Sequence, residues 1–447
     1  MGQEPSGTAG GRAALRLVGG EGRCRTPRGA RARRARSSRH LMLTGHPPHG
    51  HRRRAAPRHI GHVRVAIATE SFLPSLNGVT TSVCRVAENL REQGHKAMII
   101  APGPAPSTYA GHVVRTLPAV PVRGFRAGLP TGAVRRALRD FRPDVVHLAS
   151  PFLVGARGLH NAAAFDLPTV AIYQTDMPNY VKQHGPGAIG RGASSLTWEW
   201  VRRIHERADL TLAPSRPTLE ELRAHRIPRT GLWGRGVDTR LFTPAWKEDP
   251  ETLALKQALA PGGEVLLGYV GRLAPEKELH RLAELAQIPG TRLVLVGEGP
   301  SRNELGARLA EAVSTSPGRP NLPPAFLGPR TGEDLARAYA TFDVFVHTGT
   351  KETFGQTLQE AAAAGLPVVA PAVGGPLDLV DHGRSGYLFA PDVRGDLARW
   401  VAELVDSPAL RESMGDHGPA MVADRSWSSL TEQLVGHYEA AASAHAA

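Results

Sequence analysis

Two carboxylates bracket the start of a predicted helix in the second half of the chain. Glu352 lies just before this helix and Glu360 about two turns inside it, with seven residues between them. At this spacing one carboxylate can hold the hydroxyl groups of a sugar while the other reaches a ribose behind it. The same spacing also fits two solvated glutamates on an ordinary helix, because Glu is a common helix residue. The flanking residues have to decide between the two interpretations.

The residues between the two carboxylates favour a phosphate site. Phe354, Gly355 and Gln356 stand where the predicted helix begins, so their backbone N–H groups have no partner within the helix. Such N–H groups and the helix dipole attract anions. An apolar strand precedes the turn and another follows the helix, which makes a strand–helix–strand unit. Ligands of such units bind at the carboxyl ends of the strands.

Two cations follow another predicted strand. Arg272 and Lys277 come after the apolar run that begins at Val265 and ends in Gly271. An arginine can grip a diphosphate with its planar fork, and a lysine acts on it as a point charge. Such a pair on a loop is usually only solvated, but its place directly after a strand end favours a clamp. Gly299, in a Gly-x-Gly turn after the next strand, is weak evidence for a nucleotide.

The first half of the chain offers polar groups at several strand ends. Asn77 and Gly78 follow the predicted strand at 63–69 and open a helix, and the glycine would let the backbone approach a ligand closely. Later strand ends supply candidates for contacts with a second substrate, namely His147, Gln174 and Asp176, with Tyr180 downstream. A turn glycine, a strand cap or a helix N-cap would explain the same residues without any ligand.

The net charge of +13 is concentrated at the N-terminus. Residues 1–62 hold fourteen Arg, no Lys and two acidic residues, so they carry +12 and the rest of the chain is nearly neutral. This segment lacks apolar periodicity and is predicted to be disordered. It could bind nucleic acid or an anionic membrane, serve as a transit peptide, or precede the true start at Val63 or, less favoured, Met42. The remaining residues carry no general basic surface for nucleic acid.

The rest of the composition favours a cytosolic protein. The chain has only two cysteines, which excludes a disulfide framework and a zinc site, and no apolar run reaches the roughly 18 residues of a membrane span. A segment at 115–142 mixes apolar residues with many arginines and could bind an anionic bilayer. An ordinary solvated helix and loop explain it equally well. Its arginines are Arg115, Arg123, Arg126, Arg135, Arg136, Arg139 and Arg142.

Several of these motifs occur in the order typical of one enzyme family. Glu352 and Glu360 with Phe354-Gly355 between them, Gly271-Arg272-Leu273 with Lys277, and Asn77-Gly78-Val79 closely resemble the retaining glycosyltransferases of the family 4 type. The resemblance covers residues 63–442 and implies the GT-B fold, an α/β fold of two Rossmann-like domains with a cleft between them. The implied parts are an N-terminal acceptor domain at 63–242, a nucleotide-sugar domain at 243–424 and a C-terminal helix within 425–447 that packs back on the first domain.

The resemblance also implies a reaction and roles for the candidate residues. A hexose would pass from a nucleoside diphosphate sugar to a hydroxyl group, with retention at the anomeric carbon. Arg272, Lys277 and Glu352 would be catalytic. Donor binding would add Gly78, Gly271, Gly299, Phe354, Gly355, Gln356 and Glu360, and acceptor contacts would come from Asn77, His147, Gln174, Asp176 and Tyr180. We expect no essential metal or other cofactor, because cations and helix N–H groups can neutralise the leaving diphosphate.

Two further segments narrow the implied donor. Gln174-Thr175-Asp176 and the run 234–239 resemble actinobacterial GDP-mannose-dependent α-mannosyltransferases that act on glycolipids, whereas many other relatives carry His where Gln174 stands. This implies transfer of mannose from GDP-mannose to a glycolipid or glycan, at the inner face of the cell membrane. A UDP-sugar-dependent transferase (glucosyl or GlcNAc) and a nucleotide-sugar epimerase on the same fold stay as alternatives. A dehydrogenase is disfavoured, because no Gly-x-Gly-x-x-Gly follows Thr69.

Overall fold

A computed structural model gives the structure of the chain over residues 61–75, 77–122, 125–129, 131–150, 153–174, 192–315 and 321–447. All of these residues lie in one compact unit, Pro57–Ala447. The N-terminal segment up to residue 60 and the candidates Asp176 and Tyr180 lie outside the described residues.

The first half of the chain builds an eight-stranded sheet. Its strands and those of a separate hairpin are β1 (Arg64–Ala68), β2 (Lys96–Pro102), β3 (Thr108–Tyr109), β4 (His112–Leu117), β5 (Ala119–Val122), β6 (Phe125–Gly128), β7 (Val145–Leu148), β8 (Thr169–Ile172), β9 (Leu210–Ala213) and β10 (Thr230–Leu232). The sheet order is β10-β9-β8-β7-β1-β2-β4-β3, and only β3 runs antiparallel to its neighbour. Central strands such as β1 are buried along almost their whole length, as expected for a parallel sheet covered by helices on both faces.

The second half repeats this architecture with a six-stranded sheet. Its strands are β11 (Val265–Val270), β12 (Thr291–Val296), β13 (Ala325–Gly328), β14 (Val344–Val346), β15 (Val368–Pro371) and β16 (Gly386–Phe389). The order is β13-β12-β11-β14-β15-β16, and every pairing is parallel. The two parallel sheets confirm the α/β prediction.

The helices of the described residues connect these strands. In the first half they are Gly78–Glu92, Ala133–Phe141, Leu153–Ala164, Gly192–His205 and Arg216–Ala224. In the second half they are Pro250–Leu259, Leu282–Leu285, Arg302–Ser314, Gly332–Thr341, Gln356–Ala363, Asp396–Asp406 and Pro408–Val422, followed by the last helix, Trp427–His445. Within the described residues, 3-10 turns lie at Pro244–Glu248, Pro275–Lys277, Leu279–Arg281 and Gly375–Asp378. None of these helices is long and apolar enough to cross a membrane.

In each sheet the strand order reverses at one point, so that connections leave one strand towards both of its sides. In the second sheet β11 leads to β12 on one side, and the chain later returns to place β14 on the other side of β11. The residues after β11 and β14 therefore meet in the crevice at the carboxyl ends of these strands, which is where open α/β sheets bind ligands. In the first sheet, β1 and β7 form the corresponding point.

The last helix, which we call the C-terminal helix (Trp427–His445), packs on the first sheet. Its Leu434 and Tyr438 are buried in the same apolar cluster as residues of β1 and β2. The indole N–H of Trp233 donates a hydrogen bond of 2.7 Å to the Leu430 carbonyl. Where the chain crosses back, Val237 pairs with Ser426 in an isolated parallel bridge. This packing confirms the expected return of the chain to the first domain.

Candidate active site

Lys277 and Glu352 form an ion pair where the two loops at the carboxyl ends of β11 and β14 meet. The Lys277 Nζ lies 2.6 Å from the Glu352 Oε2, and both side chains are largely buried. Burial opposes ionisation of Glu352, but the charges of Lys277 and then His347, together with the hydrogen bond from Lys277, outweigh it and hold the pKa of this carboxyl below its ordinary value. Glu352 is therefore an ionised acceptor at neutral pH.

Backbone contacts fix the loops that carry this pair. The hydroxyl of Thr348 donates to the Lys277 carbonyl at 2.7 Å, which joins the loop after β14 to the loop after β11. Gly271 adopts a φ of +152°, and a Cβ at Gly297 would lie 2.0 Å from the Gly271 carbonyl oxygen. Glycine is therefore required where the turns after β11 and β12 touch.

Arg272 lies at the same strand end but does not join the ion pair. Its guanidinium is two-thirds exposed and lies 3.6 Å from Glu276. The two cations of the predicted clamp thus differ in environment, a largely buried Lys277 and a solvent-facing Arg272, and their contact with a diphosphate stays a prediction. An arriving diphosphate can draw the arginine fork without breaking a tight contact.

The turn after β14 presents the start of the helix Gln356–Ala363, which we call the site helix. Gly355 precedes it with a φ of 105°, so the helix begins one residue later than predicted. The Phe354 side chain is buried in the apolar core, and only its backbone is available to the cleft. Gly375 N–H donates to the Glu352 carbonyl at 2.8 Å, which supports the turn from behind. The first N–H groups of the site helix lack intrahelical acceptors, as every helix start does.

Glu360 lies one turn further along the site helix. It accepts a hydrogen bond of 2.8 Å from the Tyr339 hydroxyl. Burial raises the pKa of Glu360 to about 7, although the hydrogen bonds from Tyr339 and Gln356 oppose the shift. The two carboxyl groups of the motif therefore differ at neutral pH, because Glu352 is ionised and Glu360 is close to its midpoint.

On the opposite side of the cleft, the side chain of Asn77 is used to start a helix. Its Oδ1 accepts from the N–H groups of Val79 and Thr80 at 3.0 Å, and its amide nitrogen donates to Ser71. The side chain of Asn77 thus serves as an N-cap, a role for which asparagine is among the preferred residues, and its contact with an acceptor stays a prediction. Gly78 follows as the first residue of the helix Gly78–Glu92.

Arg235, which the sequence analysis did not assign, lies between Gly78 and Gln174. A Cβ at Gly78 would be 2.9 Å from the Arg235 Nη1. The Arg235 Nη2 donates to the Gln174 Oε1 at 2.8 Å, and the Gln174 amide nitrogen donates to the Ala149 carbonyl. Burial lowers the pKa of Arg235 to about 10, with the charge of Glu352 opposing the shift, so the guanidinium is charged at neutral pH. We call the segment Gly234–Gly236 the hinge; nothing in its sequence indicated that its arginine turns into the cleft.

Two predicted site residues have other functions in the fold. His147 is buried, its Nδ1 lies 2.6 Å from the Tyr438 hydroxyl on the C-terminal helix, and burial lowers its pKa to about 3. The imidazole therefore holds the C-terminal helix and cannot contact an acceptor in this conformation. At Gly299 a Cβ would lie 2.3 Å from the Leu273 carbonyl oxygen, which gives a packing reason for glycine. Its contact with a donor stays a prediction.

Hydrogen bonds join the two sides of the cleft. The hydroxyl of Ser215, at the start of the helix Arg216–Ala224, donates to the Thr353 carbonyl at 2.8 Å, beside Glu352. From the site helix, the amide nitrogens of Gln356 and Gln359 donate to the carbonyls of Gly236 and Arg235 at 3.0 and 2.9 Å. The turn that carries Glu352 and the hinge that carries Arg235 are thus held from both domains.

The assembled side chains can stabilise a polyanion next to a polyol. The cleft brings together Arg272, Lys277 and Arg235 as cations, Glu352 and Glu360 as acceptors for hydroxyl groups, and a helix start between the two carboxylates. Over the described ranges there is no group of three or more His, Cys, Asp or Glu placed to hold a metal ion. Preorganised cations of this kind stabilise charge that develops on a leaving group.

Comparison with known sequence families gives two matches that together span most of the chain. The family Glycosyltransferase Family 4 matches residues 76–241, which include Asn77 and every strand of the first sheet except β1. The family Glycosyl transferases group 1 matches residues 251–421, which include the second sheet and the pair Lys277–Glu352.

Individual proteins of known activity or structure are also similar. A GDP-mannose-dependent alpha-mannosyltransferase of Mycobacterium tuberculosis is 44% identical over 85% of this chain and 97% of its own length. An enzyme of the same description from Mycolicibacterium smegmatis is 43% identical, with the same coverage of both chains. Among solved structures, a sucrose-phosphate synthase from Thermosynechococcus elongatus superimposes with a TM-score of 0.70 at 22% identity, over 84% of this chain and 98% of that one. The structural match shows the fold alone, which is GT-B.

Proposed function

The chain belongs to glycosyltransferase family 4, and from this premise we propose that it transfers mannose from GDP-mannose to a hydroxyl group, with retention at the anomeric carbon. The donor assignment is supported by 37–44% identity to three GDP-mannose-dependent alpha-mannosyltransferases. The feature of the site that carries the proposal is the ionised Glu352 beside Lys277, since this pair combines a hydroxyl acceptor with a phosphate-binding cation at one point.

We propose the following course for the reaction. The acceptor hydroxyl oxygen bonds to the anomeric carbon on the face from which GDP departs, and the bond from that carbon to the distal phosphate oxygen breaks. The phosphate takes up the proton of the hydroxyl, so the products are an α-mannoside and GDP. Glu352 would hold sugar hydroxyls, Glu360 would hold the ribose, and Arg272, Lys277 and the start of the site helix would neutralise the departing phosphate.

This charge balance supports turnover without a metal ion. The departing diphosphate would be met by Arg272, by Lys277 and by backbone N–H groups of the site helix, all at the carboxyl ends of β11 and β14. Preorganised charge of this kind acts without solvent reorganisation. We therefore propose that no metal is essential.

A donor panel tests the proposal directly. Purified protein is incubated with an acceptor lipid extract and GDP-mannose, GDP-glucose, UDP-glucose or UDP-GlcNAc, and the release of nucleoside diphosphate and glycosylated product is followed. We expect product only with GDP-mannose. Turnover confined to a UDP-sugar would replace the donor but keep the transferase, whereas a sugar isomer released without acceptor would favour an epimerase.

For the acceptor, we propose a glycolipid or membrane-bound glycan at the inner face of the cell membrane. The helix Ala133–Phe141, which we call the basic helix, supports this choice. Its apolar side packs inward through Val134, Ala137 and Leu138, whereas Arg135, Arg136 and Arg139 are exposed. No apolar side is left to insert into a bilayer, so attraction would come from charge alone, at about 1 kcal/mol for each arginine near an anionic surface.

Vesicle co-sedimentation tests the membrane proposal with the full chain. We expect binding to vesicles that contain phosphatidylglycerol, weak binding to neutral vesicles, and a loss of roughly 10²-fold when Arg135, Arg136 and Arg139 are changed to Glu. The control is the charge reversal of the exposed Arg384 and Arg399 on the second domain. Both variants keep the basic N-terminal segment, so a difference in binding between them reports on the basic helix. Equal loss in both variants would show that the basic helix has no special part.

A further inference from the structure

The guanidinium of Arg235 lies in the cleft without a counter-ion. Its Nε is buried and has no hydrogen-bond partner among the described residues, and none of their carboxylates lies within ion-pair distance of it. Glu352 is the charge that acts on it, from beyond contact. A cation that is largely removed from water and lacks a counter-ion is unfavourable, and an anionic ligand would relieve that cost. An anion is the ligand that this group would accept.

The position of the guanidinium is set by both domains. Its Nη1 would lie 2.9 Å from a Cβ at Gly78, so glycine leaves room for it there, and its Nη2 donates to Gln174. Its own backbone carbonyl accepts from Gln359 on the site helix. The side chain is therefore fixed between the loop that starts the first helix and the turn that carries Glu352. This degree of support is what a preorganised electrostatic group needs.

The side chain of Gln174 is not available to contact a substrate itself. Both ends of its amide are occupied, since the oxygen accepts from Arg235 and the nitrogen donates to Ala149, and its side chain is buried. Its contacts orient the arginine instead of facing a substrate. Gln174 is thus a positioning residue, and the group it presents to the cleft is the guanidinium.

We propose that Arg235 is a third cation of the donor site, which contacts the distal phosphate of the nucleoside diphosphate sugar from the first-domain side, opposite Arg272 and Lys277. This inference rests on the proposed function. As the bond from the anomeric carbon to the phosphate oxygen breaks, the electron pair stays on that oxygen and charge collects on the distal phosphate. The guanidinium of Arg235 would meet this charge, and the two domains would thereby place cations on both sides of the leaving group.

The test compares Arg235→Ala, Arg235→Lys and Gln174→Ala in the full chain. For Arg235→Ala we expect kcat to fall by roughly 10²- to 10³-fold and the Kd for GDP, measured by titration calorimetry, to rise by about tenfold or more. Arg235→Lys keeps the charge without the fork and should fall between the wild type and Arg235→Ala. Gln174→Ala should act in the same direction but add little to Arg235→Ala, since both changes remove one interaction.

Chemical rescue separates a contact with the reacting groups from a structural role. Added methylguanidinium at millimolar concentration should restore turnover of Arg235→Ala, and an equal ionic strength of sodium chloride should not. Arg425→Ala is the matched control, because Arg425 is also partly buried, has a pKa lowered by burial, and donates to a carbonyl, that of Asp378, at 3.3 Å. This variant should lose stability without gaining anything from methylguanidinium.

Three outcomes overturn the inference. They are GDP binding and turnover within roughly threefold of the wild type in Arg235→Ala, loss of turnover that methylguanidinium does not restore, and rescue of Arg425→Ala to the same extent. The calorimetric arm does not depend on the sugar. If the protein fails to use GDP-mannose, the same variants titrated with UDP and ADP still report whether Arg235 holds a diphosphate. Failure of the proposed function and failure of this inference are thus distinguishable.

Discussion

The titration of Glu360 should make both the stability and the activity of the protein depend on pH. Its pKa of about 7 is raised by burial, whereas an unfolded glutamate ionises near about 4.3. The folded protein therefore holds an extra proton between these two values. The stability that this proton contributes is complete below about pH 4.3 and is lost as the pH rises through about 7, to the extent of roughly 4 kcal/mol.

The activity with GDP-mannose should depend on the same titration of Glu360, but it should rise with pH, whereas the stability falls. The ionised carboxylate is the stronger acceptor for ribose hydroxyls, and in the free enzyme it becomes the major form only above about pH 7. We expect kcat/KM for GDP-mannose to rise across this pH, because kcat/KM reports groups of the free enzyme. Glu360→Gln should abolish this limb and leave a flat profile between pH 6 and 8.

Tyr339→Phe should shift the pH at which kcat/KM rises, by an amount that follows from one hydrogen bond. The Tyr339 hydroxyl donates to Glu360 at 2.8 Å and favours the charged form. A hydrogen bond to a charged group contributes about 1.5–3 kcal/mol, and one pKa unit corresponds to about 1.4 kcal/mol. Its removal should raise the apparent pKa of the kcat/KM profile by about one to two units, with activity recovered at high pH.

A second tyrosine–glutamate pair supplies the control. Tyr387 on the edge strand β16 donates to Glu403, so Tyr387→Phe makes the same chemical change outside the cleft and should leave the profile where it is. The reasoning is refuted if the wild type has no limb near pH 7, if Tyr339→Phe leaves the limb in place, or if Glu360→Gln retains it.

Three further predictions follow from the site and the hinge. Glu352→Ala, Arg272→Ala and Lys277→Ala should each lower kcat by roughly 10²-fold or more, as measured with GDP-mannose, and near-native turnover in all three would remove the assignment. Turnover should persist in excess EDTA, so a complete loss that magnesium restores would argue for a metal. Gly236→Ala should lower the free energy of unfolding by about 1–3 kcal/mol in denaturant titrations, because the new Cβ would lie 2.6 Å from the Trp427 Cα; an unchanged midpoint would contradict this packing argument.

Local patterns sufficed for those parts of the site that are built from neighbouring residues. The strand–turn–helix around Glu352 and the cations after β11 are each specified within about ten residues, and parallel strands bring them to one edge. The structure places Lys277 and Glu352 2.6 Å apart. Asn77 was also within reach of sequence reasoning, since an asparagine directly before a helix is a typical N-cap.

Contacts between distant segments were beyond this kind of reasoning. Arg235 turns into the cleft because Gln174 and Gly78 meet it there, 61 and 157 residues earlier in the chain. His147 ends a strand as predicted, but its partner, Tyr438, is 291 residues away on the C-terminal helix. A strand-end pattern predicts that a side chain lies near the edge of the sheet and gives no information on which helix covers it.

The return of the C-terminal helix affects the order in which the domains can be completed during synthesis. Because the C-terminal helix packs on the first domain, the second domain is in effect inserted into the first, and the bridge between Val237 and Ser426 joins the two crossings. Domains of most chains mature in the order in which the ribosome releases them. Here the core around β1 is completed by Leu434 and Tyr438, which follow the strands of both sheets in the chain. The second sheet has all its strands by Phe389, so it can form before the segment that closes the core of the first domain has been synthesised.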